Sequence, residues 1–317
     1  MGKIVLTGIK CTGTPHVGNY LGAIRPMIDM GGTHCFIADY HALNQVHEPK
    51  AHAESVKQVA CTWLACGLDP KKTVFYRQSD VPEVFELATI LTNVTPKGLM
   101  NRAHSYKAAI ASNIEQKRDA DFDVNMGLYN YPILMAADIL LFNTNLVPVG
   151  SDQKQHIEIA CDIAKSFNAV YGDTLVVPKE TIREDVATIQ GLDGRKMSKS
   201  YGNIIPLFCD SAELLKCVKR IATDSSAPNE AKPKEHLIFQ LYKHFTGKEL
   251  DNKIGWGDAK QKLFEAMDKV IAPMREKYNH LMSHYAEVEK ILEKGSVEAR
   301  GVARETLDRV RKAIGVK

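Results

Sequence analysis

Two lysines three positions apart, Lys196 and Lys199, lie in the string Gly194-Arg195-Lys196-Met197-Ser198-Lys199-Ser200-Tyr201-Gly202-Asn203. Serines stand beside them and glycines flank them. A flexible cationic loop of this kind suits a departing pyrophosphate, whose negative charge grows as it leaves. A solvated basic surface loop is the alternative, but this order of residue types is more specific than a run of charge.

A second string near the start reads Thr7-Gly8-Ile9-Lys10-Cys11-Thr12-Gly13-Thr14-Pro15-His16-Val17-Gly18-Asn19. A helix opening at His16 offers free N–H groups and the positive end of its dipole to a polyphosphate. His16 and Asn19 share one face at i, i+3. Gly18 between them leaves room for a flat ring. It is not a P-loop, because no Gly-Lys-Ser/Thr follows the glycines. Taken alone, the string also fits an ordinary strand-to-helix turn.

A third string, Val149-Gly150-Ser151-Asp152-Gln153-Lys154-Gln155-His156, follows an apolar strand and opens a helix. Ligands of α/β sheets bind at such carboxyl edges. Asp152 could accept ribose hydroxyls, or simply cap the helix.

The elements that must position these strings follow from periodicity. Ile4, Val5 and Leu6 read as a buried parallel strand ending at Thr7-Gly8, with a loop over 8–13 and a helix over 16–30. Strands are expected at 35–38, 74–76 and 146–149, with helices at 51–66 and 153–167. That alternation predicts an α/β fold: a Rossmann-like, nucleotide-binding parallel sheet with helices on both faces. The polar stretch 97–126 reads as a mobile insertion. Beyond 203 the strand signals fade, and helices are expected at 210–222, 235–245, 258–293 and 296–314, with a break over 225–233. The expected domains are therefore 1–203 and an all-helical 204–317, the last helix packing back on the first domain.

The chain has 317 residues, with 41 Lys+Arg against 38 Asp+Glu, a formal charge of +3. Hydrophobic residues make up 44% and charged residues 25%. This composition excludes a disordered tail, a collagen-like chain, a disulfide-stapled miniprotein and a protein held on nucleic acid by bulk charge. The 7 cysteines are odd in number and show no CxxC spacing, which argues against zinc or iron–sulfur sites and for reduced thiols in the cytoplasm. The first apolar run is too short for a signal segment, and no stretch approaches a membrane span.

His16-Val17-Gly18-Asn19 resembles the HIGH signature of class I aminoacyl-tRNA synthetases, and residues 196–200 match their KMSKS signature letter for letter. The likeness to the tryptophan and tyrosine subgroup extends to Tyr131-Pro132-Ile133-Leu134-Met135-Ala136-Ala137-Asp138-Ile139-Leu140 and to residues 150–156. The helical C-terminal part resembles that subgroup's anticodon-binding region mainly by position, length and helical character. Cys11 stands where many relatives have proline. Tyr201-Gly202 replaces their acidic residue and proline.

The resemblance implies an amino-acid carboxylate attacking the α-phosphate of Mg2+-bound ATP, followed by transfer to tRNA. The carboxylate is already ionised, so positioning and charge stabilisation suffice. By resemblance, Lys196 and Lys199 take the pyrophosphate, His16 and Asn19 hold the phosphates, and Lys107 supplies a third cation. Lys10 and Thr12 border ATP. Gly18 and Ile189 lie against adenine, and Gly150 and Asp152 hold the ribose, with Ser151, Met197 and Ser198 alongside. The amino group of the substrate falls to Tyr131 and Gln153, with His41 near the pocket and Leu6 as a wall. The resemblance also implies a homodimer joined through the catalytic domains, with no membrane or DNA partner. The modest basic charge predicts salt-sensitive tRNA binding.

Tryptophan is expected over tyrosine. Pro132 suits a helix's first turn, and Tyr131, Met135 and Asp138 then share one face. A carboxylate in an apolar run needs a donor, and indole offers one N–H. Phenylalanine would leave it unpaired, a loss that can reach about 10⁴–10⁵ in selectivity. Tyrosine-specific relatives typically carry glutamine at the position of Met135, whose thioether suits an aromatic ring by about 0.3–1.5 kcal/mol. Core packing of Met135 and His41, and pairing of Asp138 with a buried Arg or backbone N–H, stand as alternatives. His280 and His284 have metal-like spacing but no third ligand nearby in sequence. A tyrosine enzyme, a silent synthetase-like RNA-binding protein and a nucleotidyltransferase without tRNA are the competing readings.

Overall fold

Strand β1, Leu6–Lys10, opens the fold of this computed structural model, which describes residues 4–149, 154–182 and 189–316. The strand does not stop at Thr7-Gly8. Gly8 lies inside it, paired with Phe36, where a Cβ would come 2.5 Å from the Phe36 ring. The glycine is there for close approach within a strand, not for a turn.

The predicted helix over 16–30 is built in three pieces. Helix α1 spans Val17–Asn19, a π-helical turn follows over Tyr20–Ile24, and α2 spans Arg25–Asp29. Pro26 has no N–H for the carbonyl one turn back, and the widened turn directly before it relieves that loss. Strand β2 (His34–Ala38) leads through α3 (Asp39–Ala42) and α4 (Pro49–Ala65) to β3 (Val74–Arg77). The three strands are parallel, in the order β1-β2-β3.

After α5 (Glu83–Thr92) come α6 (Lys97–Met100) and α7 (His104–Glu115). The Gln155 side chain ties this segment down, accepting from His104 N–H at 2.8 Å and donating to the Arg102 carbonyl at 3.0 Å. Helix α8 spans Met126–Leu141, so Pro132 is interior rather than in the first turn. Strand β4 (Leu146–Val149), helix α9 (Lys154–Tyr171) and strand β5 (Lys179–Ile182) follow. β4 and β5 form a parallel pair, joined to β1 through a bridge between Val5 and Leu146. Nothing in Lys-Glu-Thr-Ile marks β5 as a strand, because it has no apolar run.

Helices cover both faces of the sheet. Cys35, Ile37 and Phe75 face one core, shared with Val59 and Trp63 of α4. Leu6, Phe36, Ala38 and Tyr76 face the other, shared with Leu87 of α5, Leu140 of α8 and Phe167 of α9. This is the period-2 alternation of a sheet buried on both sides.

The helices after residue 203 are α10 (Ser211–Lys219), α11 (Leu237–Thr246), α12 (Trp256–Ser283) and α13 (Tyr285–Ile314). The break falls at His284, not near residue 295. Gly295 is no terminator: a Cβ there would come 2.7 Å from the Phe75 carbonyl carbon. The glycine lets α13 lie directly on β3. Leu263, Met267 and Ile271 of α12 join the same core as α4. Among the described residues no helix is long and apolar enough to cross a membrane.

Candidate functional site

β1 delivers Lys10 to the carboxyl edge of the sheet. His16 follows at the start of α1, where its N–H donates to Asn19 Oδ1 at 3.1 Å. His16 is only 8% exposed. Burial, and then the charge of Lys199, pushes its pKa down to about 4, so it is neutral at pH 7. Its Nδ1 is buried and meets no partner among the described residues.

Backbone pairing brings the second signature to the first. Val17 N–H donates to the Ile205 carbonyl at 2.9 Å, and Leu207 N–H to the Pro15 carbonyl at 3.1 Å. The 196–200 loop is thereby set over α1. Met197 Sδ accepts from Gly18 N–H at 3.3 Å, and a Cβ on Gly18 would press on both the His16 ring, at 3.0 Å, and that sulfur. Lys199 Nζ donates to the Thr12 carbonyl at 3.1 Å. Burial lowers the Lys199 pKa to about 8.

The loop is a built hairpin. Met197 N–H donates to the carbonyl of buried Ile189, Gly191 N–H to that of Arg195, and Gln190 bridges Lys196. Gly194 and Gly202 take positive φ, +81° and +63°, at its two turns, which favours glycine at both. Ser198 N–H donates to Asn203 Oδ1.

The amino-acid side of the site is centred on Asp138, 2% exposed. His41 Nε2 donates to its Oδ2 at 2.8 Å, and Gln78 Nε2 lies 3.0 and 2.9 Å from its two oxygens. Burial pushes the carboxyl above the ordinary range. The buried carboxylate thus has two side-chain donors of its own, neither of them the Arg or backbone N–H weighed from sequence. His41 Nδ1 and Gln78 Oε1 are buried without partners among the described residues. The Tyr131 hydroxyl shares a hydrogen bond with His156 Nε2, and Lys10 Nζ lies 5.1 Å from the Tyr131 ring centre. Burial lowers the Lys10 pKa. Leu6 is buried in the core against which half-buried Met135 packs.

Lys107 is exposed on α7, with no contact to these groups among those described. Gly150, Ser151, Asp152 and Gln153 lie outside the described residues. His280 and His284 stack at 4.3 Å on an exposed surface, and no cluster of three His, Cys, Asp or Glu among the described residues could hold a metal ion.

Residues 3–272 match the family tRNA synthetases class I (W and Y). The chain belongs to that family. This synthetase is 49% identical over 330 residues to a Pseudomonas putida protein named tryptophan–tRNA ligase, covering 99% of this chain and 74% of that one. A Neisseria meningitidis protein of the same name is 49% identical, with 99% and 98% covered. The Campylobacter jejuni tryptophanyl-tRNA synthetase, solved with ADP and tryptophan, superposes with a TM-score of 0.86 at 39% identity, covering 98% of this chain and 99% of that one.

Three residues of the synthetase's site escaped the sequence reading: Gln78, His156 and Asn203. Only position hinted at them. Gln78 directly follows a strand, His156 closes the third string and Asn203 the first.

Proposed function

We propose that the chain acts as a tryptophan–tRNA ligase. It activates L-tryptophan with ATP to tryptophanyl-adenylate and pyrophosphate, then transfers tryptophan to the 3′ end of tRNA(Trp). The observation that carries this reading is the meeting of Lys199 with Thr12 and of Met197 with Gly18. It joins the cationic loop to the neutral, buried His16 and to a glycine with no side chain. An orphaned imidazole nitrogen and a desolvated ammonium beside one helix start fit a polyphosphate. Mg2+ enters on the phosphates and neutralises part of their charge. Lys196 and Lys199 stabilise the charge that builds on the departing pyrophosphate, while His16 and Asn19 orient the phosphates. Lys107 is assigned as a third cation, Gly18 and Ile189 as adenine contacts, and Gly150 and Asp152 as ribose contacts. Met197, Ser198, Ser151, Thr12 and Lys10 border ATP.

For the amino acid, Asp138 accepts from the indole N–H, with Met135 and Leu6 against the ring and Tyr131 and Gln153 at the amino group. His41 orients the carboxylate. Two relatives at 49% identity with this name support tryptophan over tyrosine. The helical part after residue 203 is assigned to the anticodon, and the working form to a cytoplasmic homodimer.

ATP–pyrophosphate exchange with each of the twenty amino acids tests the reading. Exchange with tryptophan alone is expected. Exchange with tyrosine would overturn the roles of Met135 and Asp138, and no exchange from folded protein with Mg-ATP would overturn the activity.

A further inference from the structure

The cationic loop raises a problem of its own. Its two lysines must keep a set arrangement relative to each other, yet its sequence is rich in residues that favour loose turns. One side chain closes it. Asn203, 3% exposed, accepts from Ser198 N–H at 2.8 Å through Oδ1. Through Nδ2 it donates to Asp193 Oδ1 at 2.7 Å and to the Lys196 carbonyl at 3.1 Å. Its own carbonyl accepts from Leu192 N–H at 2.9 Å.

The orientation of the amide is forced. A backbone N–H can only donate, and a carboxylate and a carbonyl can only accept, so oxygen must face Ser198 and nitrogen must face Asp193 and Lys196. A carboxylate offers no donor, and a hydroxyl offers one where two are used. The surroundings are built around this amide. At Gly191 a Cβ would come 2.6 Å from the Asn203 carbonyl oxygen, so any side chain there displaces it. Asp193 is held in place by Arg195, whose Nε donates to its second oxygen at 2.8 Å. The Asn203 amide, then Arg195, hold the Asp193 carboxyl low, at about 2.

We propose that Asn203 is a positioning residue for adenylate formation: its buried amide clamps the backbone at Lys196 and Ser198 and so aims Lys196 and Lys199 at the polyphosphate. The inference rests on the tryptophan-activating reading and deepens it. The amide touches no reacting atom. It acts through the two lysines, and misplacement of about 1 Å can cost about 10²-fold in rate.

The test compares the unaltered chain with Asn203→Ala and Asn203→Asp by tryptophan-dependent ATP–pyrophosphate exchange, with tryptophan affinity measured by equilibrium dialysis. For Asn203→Ala, kcat falls about 10²-fold while tryptophan affinity is kept, because the clamp serves the phosphate side only. Asn203→Asp keeps the shape and loses the donors. The charged groups at this position are Asp193 and, across it, Arg195. Lys196 presents its carbonyl, and Lys199 is engaged at Thr12. The new carboxyl beside Asp193 holds a proton more readily than an isolated one, so the rate of this variant relative to the unaltered chain rises as pH falls. An unchanged kcat overturns the proposal. So does a loss of kcat matched by an equal loss of tryptophan affinity, or, should Asn203→Ala fail to fold, a relative rate of Asn203→Asp that does not vary with pH. Absence of exchange in the unaltered chain overturns the tryptophan-activating reading together with it. Exchange there with an indifferent Asn203 overturns the inference alone.

Discussion

The sulfur of Met197 rests 3.3 Å from the backbone N–H of Gly18, across 179 positions of chain. Neither residue can supply charge to a phosphate. Their contact joins the two strings that can. Gly18→Ala would push a methyl against the His16 ring and that sulfur, at 3.0 and 3.3 Å. The His16 ring and the Met197 thioether must then shift against each other. We expect kcat/KM for ATP to fall by roughly 10–10²-fold, with tryptophan affinity little changed. Pyrophosphate exchange at varied ATP measures it.

Lys199 carries the clearest pH signature. Burial lowers its pKa from 10.5 to about 8. Only the protonated form binds phosphate, so kcat/KM for ATP falls as pH rises through about 8. Lys199→Arg keeps its charge and removes that limb, at a cost in rate because the fork differs in shape. Lys199→Ala lowers kcat by about 10²–10³-fold and spares tryptophan binding. A profile flat to pH 9.5 in the unaltered chain would remove Lys199 from the site.

His34 reports on acid stability. Burial lowers its pKa from 6.5 to about 4, and the ring stays neutral against Phe142. Between those two values the unfolded chain binds a proton that the folded chain refuses. Stability therefore drops as pH falls from about 6.5 to 4, by a few kcal/mol at most. In His34→Asn that slope should be shallower than in the unaltered chain. Urea midpoints at several pH values check this.

Asp138→Asn introduces a donor where His41 and Gln78 both already donate. The Gln78 amide must turn over to accept from it, and the loss of the charge-assisted bonds costs about 1–3 kcal/mol of stability. Selectivity for tryptophan over phenylalanine should fall as well if the proposed pairing of Asp138 with the indole N–H holds, because that charge is lost. Thermal unfolding and the two kcat/KM values measure the two effects separately. Stability lost with selectivity intact would make Asp138 a structural residue only.

Gly295→Ala tests the seat of α13 on β3. The added methyl meets the Phe75 main chain, which cannot swing aside. Overpacking of this kind costs about 1–3 kcal/mol or more. Chemical denaturation should show it, with pyrophosphate exchange in the surviving folded fraction near normal.

Much of the fold was legible in the sequence. The helices at 51–66 and 210–222 announce themselves by apolar spacing, and their observed spans agree within a few residues. The glycines misled. Gly8 and Gly295 look like breaks, yet both sit inside regular elements because another chain segment passes too close for a side chain. Pro132 looks like a first-turn residue, yet α8 starts at Met126, with Asn125 accepting from Leu128 N–H as its cap. Contacts made far along the chain override local preference at the two glycines, whereas at Pro132 a local cap sets the helix start earlier.

The sequence by itself determined the chemistry available: two lysines in a glycine-flanked loop, a histidine at a helix start, and a carboxylate in an apolar helix. These signals are local, and residue type with spacing over a few positions is enough to read them. Only the tertiary structure decided what those groups meet. Asp138 finds Gln78 and His41 across 60 and 97 positions, and Lys199 finds Thr12 across 187. A buried polar group must be satisfied by whichever partner the folded backbone brings within about 3 Å. No periodicity in the chain encodes that partner, because it is chosen by the packing of whole elements.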